Sequence, residues 1–341
     1  MPDPALDALM LPFADRRLAW PDAGALFLRA REGAALHAHA PRAGLVCEQS
    51  FRPAHDALQR AGFEVRAQGE DAFGLVLLLP PRQRNEARAL FAAALARTAP
   101  GGCVLAAMPN DAGARSGQAD FEALLGPASV LSKHKCRVFW AATGRADAAL
   151  AETWRGLDAP RPILDGRFLS RPGVFAWDRV DPASALLAAQ LPATLSGHGA
   201  DLGAGWGFLS ASVLERCAGV AALDVVEAEQ RALDCARANL AAHASRVALD
   251  FLWHDVTAGL PRQYDFIVSN PPFHALLGEP RPEIGRAFIA AAAGALRPRG
   301  ELWLVANRQL PYEEVLAAGF GQVREVVQQG GFKVIHAVKA R

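Results

Sequence analysis

Asp201-Leu202-Gly203-Ala204-Gly205-Trp206-Gly207 decides the fold of this 341-residue chain. Three glycines at alternate positions stand between a strand ending near Asp201-Leu202 and a helix over 209–216. Glycine adopts backbone conformations closed to other residues and lets a ligand come close to the main chain. Upstream, Asp181-Pro182-Ala183-Ser184 opens a helix with an aspartate at the N-cap and a proline at N1, and Leu186, Leu187 and Leu191 form its apolar face. Downstream, the pattern predicts a strand over 220–225, a helix over 228–242, strands over 246–253 and 264–268, a helix over 286–296 and a strand over 301–306. Such alternation specifies a parallel sheet covered by helices on both faces. The end departs from it: β-rich runs over 323–327 and 332–338 flank Gln328-Gln329-Gly330-Gly331, which reads as an antiparallel hairpin at the sheet edge.

The first half carries a fainter copy. Leu79-Pro80-Pro81 leads to a helix over 86–97, then Pro100-Gly101-Gly102 and a strand over 103–107; later, Asn270-Pro271-Pro272 leads to the helix over 286–296, then Pro298-Arg299-Gly300 and the strand over 301–306. The order of elements points to duplication. Leucine at 79 cannot accept an N–H as Asn270 can, and residues 41–65 lack a comparable glycine cluster. Two tandem α/β domains are therefore expected: 1–150, degenerate and kept for substrate binding or stability, and 160–341, which carries the chemistry.

A glycine-rich turn alone fits NAD, FAD, S-adenosylmethionine (SAM) or a plain tight turn. Asp224, with Val225 beside it, is read as the end of the next strand, about twenty residues on, where a carboxylate binds ribose hydroxyls. Asp255, at the end of the following strand, is placed to meet an adenine amine. Each acid alone would more often be a solvated cap; their shared position at successive strand ends favours a ligand. The fourth strand delivers Ser269-Asn270-Pro271-Pro272-Phe273 to the same edge. An exocyclic base amine is a poor nucleophile because its lone pair is delocalised into the ring. If the Asn270 side-chain carbonyl and the Pro271 backbone carbonyl each accept one N–H, the lone pair turns toward an incoming methyl group. Pro271-Pro272 makes the turn rigid, and Phe273 is positioned to stack on the base. The competing reading of this short motif is a structural corner capped by Asn270.

Taken together, Asp201 to Gly207, Asp224, Asp255 and Ser269 to Phe273 resemble the motifs of class I SAM-dependent methyltransferases, in that family's order. Pro172-Gly173-Val174-Phe175, Asp178, Asp181, Asn270 to His274, Val305-Ala306-Asn307, Leu310-Pro311-Tyr312 and Phe332-Lys333-Val334 are similar, more narrowly, to bacterial ribosomal RNA guanine-N2 methyltransferases of the RsmC and RlmG type. The likeness covers nearly all of 170–341 and is weaker before Phe73. It implies two tandem Rossmann-like class I methyltransferase domains. The C-terminal one has a seven-stranded, mostly parallel sheet ending in an antiparallel hairpin, and it alone binds SAM. It also implies a catalytic turn of Asn270, Pro271, Pro272 and Phe273, and a cofactor site of Asp201, Gly203, Ala204, Gly205, Gly207, Asp224, Val225 and Asp255. The expected substrate is guanine N2 in ribosomal RNA, with the small subunit favoured by whole-length likeness and the large subunit the alternative. A protein-glutamine methyltransferase and a non-catalytic ribosome-assembly factor are the other readings.

Composition sets the remaining bounds. At 51% hydrophobic content the chain builds two cores, and with a net charge of +1 any RNA contact must come from local basic patches. Lys133, Lys135 and Arg137 form the densest patch; Arg171, His274 and Lys333 are further candidates, each also readable as an ordinary solvated residue. Cys47, Cys103, Cys136, Cys217 and Cys235 are scattered without metal-ligand spacing, so reduced thiols and no metal are expected. The acidic start of the N-terminus does not read as a secretory signal, and no apolar run is long enough to span a bilayer. A cytoplasmic monomer that meets ribosomal RNA or the small subunit is expected.

Overall fold

A computed structural model describes residues 3–272 and 282–341, in two compact units, 1–159 and 160–341. In the first, strands β1 (Ala25–Leu28), β2 (Leu45–Glu48), β3 (Glu64–Arg66), β4 (Phe73–Leu78), β5 (Thr98–Pro109), β6 (Ser129–Lys133) and β7 (Cys136–Ala142) form one sheet. Its strand order is β3-β2-β1-β4-β5-β7-β6, parallel except for β7, which pairs antiparallel with both β5 and β6. Helices α1 (Pro4–Ala14), α2 (Ala34–His39), α3 (Arg52–Arg60), α4 (Arg84–Ala96), α5 (Ala114–Leu125) and α6 (Ala148–Arg155) surround it.

The second unit opens with a small hairpin, β8 (Arg161–Ile163) and β9 (Phe168–Ser170). Its sheet comprises β10 (Ser196–Leu202), β11 (Gly219–Glu227), β12 (Ala248–Trp253), β13 (Tyr264–Ser269), β14 (Leu296–Asn307), β15 (Gln322–Gln329) and β16 (Phe332–Val338). The order is β12-β11-β10-β13-β14-β16-β15, again parallel up to an inserted antiparallel β16. Period-2 alternation divides the strands between two apolar layers. Phe266, Val268, Trp303 and Val305 face α7 (Pro182–Gln190), α8 (Phe208–Arg216) and α9 (Gln230–Leu240), represented by Leu187, Val213 and Leu233. Ile267, Leu302 and Leu304 face α10 (Pro282–Ala295) and α11 (Glu313–Gly319), represented by Ile289 and Leu316. A Cβ at Gly199, in β10, would lie 2.1 Å from the Phe266 ring. Gly199→Ala is expected to cost about 2 kcal/mol by overpacking, read as a lower urea midpoint with an unchanged slope.

The duplication extends to register and irregularities. Residues 25–28 of β1 pair with 75–78 of β4 as 199–202 of β10 pair with 266–269 of β13. The fifth strand of each sheet has 12 residues, and its pairing with the fourth slips at Phe73/Leu75 in one unit and Tyr264/Phe266 in the other. Leu79 therefore stands at the position of Asn270. The loops after β1 and β10 have equal length, with Gly33 and Gly207 capping the following helices. Arg29, Ala30 and Arg31 thus occupy the places of Gly203, Ala204 and Gly205. Arg29 keeps a left-handed φ of 55°, close to the 72° of Gly203.

Three strand expectations shift. β11 continues through Val226 to Glu227 because its apolar run is still pairing with β10 and β12 there. β5 and β14 begin earlier than 103 and 301, since Thr98 and Leu296 already pair with Phe73 and Tyr264 before a bulge that takes in each Pro-Gly segment.

Candidate active site

The loop after β10 is held open by left-handed backbone at Gly203 (φ 72°), Gly205 (56°) and Gly207 (91°). Gly203 and Ala204 donate to the Val226 carbonyl at 2.9 and 3.1 Å, tying the loop to the end of β11. Asn239, on α9, donates to the Trp206 and Leu169 carbonyls at 2.8 and 2.9 Å, which secures the loop from the other side. A Cβ at Gly205 would meet nothing within 4 Å, so this glycine borders open space. A Cβ at Gly203 would lie 3.8 Å from Pro272 and 3.9 Å from the Asn270 carbonyl oxygen, which measures how closely the two motifs meet.

Asp201 is fully buried. It accepts from the Ser210 hydroxyl at 2.7 Å, and its Oδ1 has no protein partner. Burial, with Glu227 nearby, pushes its carboxyl up to about 7 against the pull of the Ser210 hydrogen bonds. The folded chain thus holds this proton more tightly than the unfolded one, whose aspartates titrate near about 3.9. The resulting stability is full below that value and is lost as pH rises through about 7. Asp201→Asn is expected to flatten this loss, read by urea unfolding at stepped pH.

Asp224 and Val225 are not at the strand end. Val225 is fully buried, and Asp224, 1% exposed, lies three residues inside β11. It accepts from the Tyr264 hydroxyl at 2.8 Å and Arg262 at 2.9 Å, with His198 Nε2 at 3.0 Å. The acid at the edge is Glu227, which the sequence reading missed. It accepts from the Gly205 amide at 2.8 Å and the Glu229 amide at 2.7 Å, and burial raises its carboxyl above the usual range. The available signal was the unbroken Val225-Val226 run leading to it. Asp255 follows β12 and caps a short turn, accepting from the Thr257 amide at 2.9 Å and hydroxyl at 2.7 Å.

Asn270, half-buried, directly follows β13, whose last residue Ser269 bonds the Leu202 carbonyl at 2.7 Å and so clamps β13 to β10. Its side-chain Nδ2 donates to Asp181 Oδ2 at 2.9 Å and Ser184 Oγ at 2.8 Å. A cleft lined by Phe175, Asp181, Ser184, Gly203 to Gly205, Trp206 and Asn270 joins the glycine loop to the Asn-Pro-Pro turn. Phe175 stands out there as a large side chain that is 67% exposed. Phe273 and His274 lie outside the described residues.

Among the basic candidates, Lys133 and Lys135 are exposed around the β6–β7 turn, where His134 and Lys135 have φ of 52° and 57°. Arg137 is instead drawn into a 2.7 Å bond to Gln118, and Arg171 is half-buried. Lys333 is not a free surface cation: its side chain is 8% exposed and pairs with Glu313 at 2.7 Å, at the β16–α11 junction. Among the described residues, no group of three His, Cys, Asp or Glu side chains is placed to hold a metal, and no helix is long and apolar enough to cross a membrane.

The residues fit a bound SAM: an open glycine loop, a buried carboxylate oxygen without a protein partner two residues before it, and an edge acid already bonded to that loop. The family model described as methyltransferase small domain matches residues 165–336, which sets the class as a SAM-dependent methyltransferase. Over its whole length the chain is similar to the structure of a T. thermophilus 16S rRNA N2 methyltransferase (RsmC) in complex with AdoMet and guanosine. The TM-score is 0.80 at 27% identity, covering 99% of this chain and 92% of that one. Ribosomal RNA small subunit methyltransferase C of Sodalis glossinidius is 33% identical over 288 residues, 80% of each chain. That of Pseudomonas aeruginosa is 31% identical over 285, 82% of each. The chain belongs to the ribosomal RNA small subunit methyltransferase C family.

Proposed function

We propose that the chain transfers the methyl group of S-adenosylmethionine to the exocyclic N2 of a guanosine in 16S ribosomal RNA. The observation that carries this is the Asn270 amide, tied by its nitrogen at the end of β13 beside the glycine loop, which leaves its carbonyl to accept an amine N–H. Asn270 Oδ1 and the Pro271 carbonyl orient the amine, Pro272 keeps the turn rigid, and Phe273 stacks on the flipped-out base. The loop from Gly203 to Gly207 and Asp201 hold the amino-acid part of the cofactor, Glu227 the ribose and Asp255 the adenine amine. When bound there, SAM would supply an activated methyl group, with a neutral thioether as the leaving group and one amine proton passing to solvent.

The first unit has no such chemistry. Leucine stands for Asn270, Arg29 and Arg31 fill the places of two glycines, and Gln49 replaces Glu227, donating to the Ala30 carbonyl at 2.7 Å. It serves substrate binding and stability. The enzyme acts as a monomer in the cytoplasm, where ribosomal RNA, its substrate, is found. Lys133 and Lys135 contact phosphates. Replacing both with alanine is expected to weaken RNA binding and reduce the salt slope by up to about 2, measured by titration at several ionic strengths; an unchanged slope rejects the contact.

The deciding experiment is nucleoside mass spectrometry of both ribosomal RNAs from a deletion strain. Loss of one N2-methylguanine from 16S RNA is expected. Loss from 23S RNA alone would move the substrate to the large subunit, and an unchanged profile would remove ribosomal RNA as the target.

A further inference from the structure

We infer that Asp181 and Ser184 are positioning residues for the reaction, fixing which end of the Asn270 amide meets the substrate amine. A side-chain amide presents a carbonyl or an NH2, and only the carbonyl can accept an amine N–H. The two ends are nearly the same shape, so packing alone discriminates weakly between them. Here both amide protons are claimed, by Asp181 Oδ2 at 2.9 Å and Ser184 Oγ at 2.8 Å. Turning the amide over would set its oxygen against a carboxylate oxygen and strip the nitrogen of both acceptors.

The acceptors are themselves held. Asp181 is the N-cap of α7, and its Oδ2 also accepts from the Ser184 amide at 2.9 Å. Pro182 at the first helical position fixes φ there. The start of α7 is therefore a rigid clamp across a sequence gap of 89 residues to Asn270. The Asp181 charge has a second effect. A carboxylate on the amide nitrogen polarises the group, concentrating electron density on Oδ1 as the amine gains positive charge during attack.

This inference rests on the proposed amine methylation, and the test separates the two. Three variants are compared with the wild-type full chain: Ser184→Ala, Ser184→Thr and Asp181→Asn, which keeps a carbonyl oxygen for both the cap and the amide. Each is measured for kcat and KM on 16S-containing substrate, for SAM affinity by calorimetry, and for the Asn270 side-chain 15N–1H resonance. Ser184→Ala is expected to lower kcat about tenfold, as for one lost hydrogen bond, with KM and SAM affinity within about twofold. Ser184→Thr restores most of that turnover. Asp181→Asn keeps SAM affinity yet loses about tenfold or more in kcat from the missing charge. Both deficient variants shift the Asn270 amide resonance.

Turnover within about twofold of wild type in both variants overturns the inference. So does loss of SAM affinity in parallel with turnover, which marks general unfolding. If the wild type itself leaves guanine N2 unmethylated, the functional reading fails. The clamp is then judged by the amide resonance alone, and an unmoved resonance in Ser184→Ala rejects it.

Discussion

Asn270→Ala is expected to lower kcat by at least about a hundredfold, the scale for removing a preorganised group that acts on developing charge. SAM affinity and thermal stability should stay near wild type. The side chain is half-buried at the end of β13, and its loss opens only a small polar gap beside Asp181 and Ser184. No cofactor contact is assigned to it. The backbone turn survives, because Ser269 still bonds the Leu202 carbonyl and Pro271-Pro272 still fix the chain. The substrate amine would retain one acceptor, the Pro271 carbonyl, and its lone pair would no longer be held out of conjugation. The measurement is single-turnover methylation with calorimetric SAM binding alongside. Turnover close to wild type would remove Asn270 from the reaction.

Glu227→Ala and Asp224→Ala should separate two carboxylates that the sequence alone confuses. Glu227 lies at the carboxyl edge of the sheet and accepts from the Gly205 and Glu229 amides. Removing it takes away a charged acceptor and loosens the cofactor loop, so SAM affinity is expected to fall about 10- to 100-fold, the range for hydrogen bonds to a charged group. Asp224 instead joins Tyr264, Arg262 and His198 inside the sheet. Its loss leaves the fully buried Tyr264 hydroxyl without its 2.8 Å acceptor and Arg262 without one of its two carboxylates. About 3 kcal/mol of stability should go, while the folded fraction still binds SAM. Equal affinity losses in the two variants would return the ribose role to Asp224.

The confusion has a physical origin. Alternating apolar runs and the glycine loop made the order of strands and helices legible, including the closing hairpin and the repeat. Strand ends were less so. Val225 and Val226 extend β11 by pairing with neighbours more than twenty residues away in sequence, and nothing local marks where that pairing stops. Asp224 reads as an edge acid until its partners at 198, 262 and 264 are brought to it. Lys333 reads as a surface cation until Glu313 arrives from α11. Asp181 was recognisable as a helix cap, but its second task depends on Asn270, which only the assembled sheet delivers. The equivalence of Arg29 with Gly203 was hidden because the first loop lacks those glycines and shares only their loop's length.

That left-handed arginine bears on how the repeat diverged. A non-glycine residue at φ 55° costs about 1 kcal/mol or more over glycine, so nothing in arginine itself recommends the position; the backbone path is the one glycine takes at 203. The path is now locked by charge. Arg29 pairs at 2.6 Å with Glu86, whose side chain is 5% exposed, and Arg31 pairs with Asp3 at 3.0 Å. Reverting either arginine alone would take a close partner from a mostly buried carboxylate, while a cofactor site like that of the second unit would need Phe27, both arginines and Gln49 changed together. Specialisation of the two halves therefore behaves as a ratchet: each step back is disfavoured before any activity could reward it.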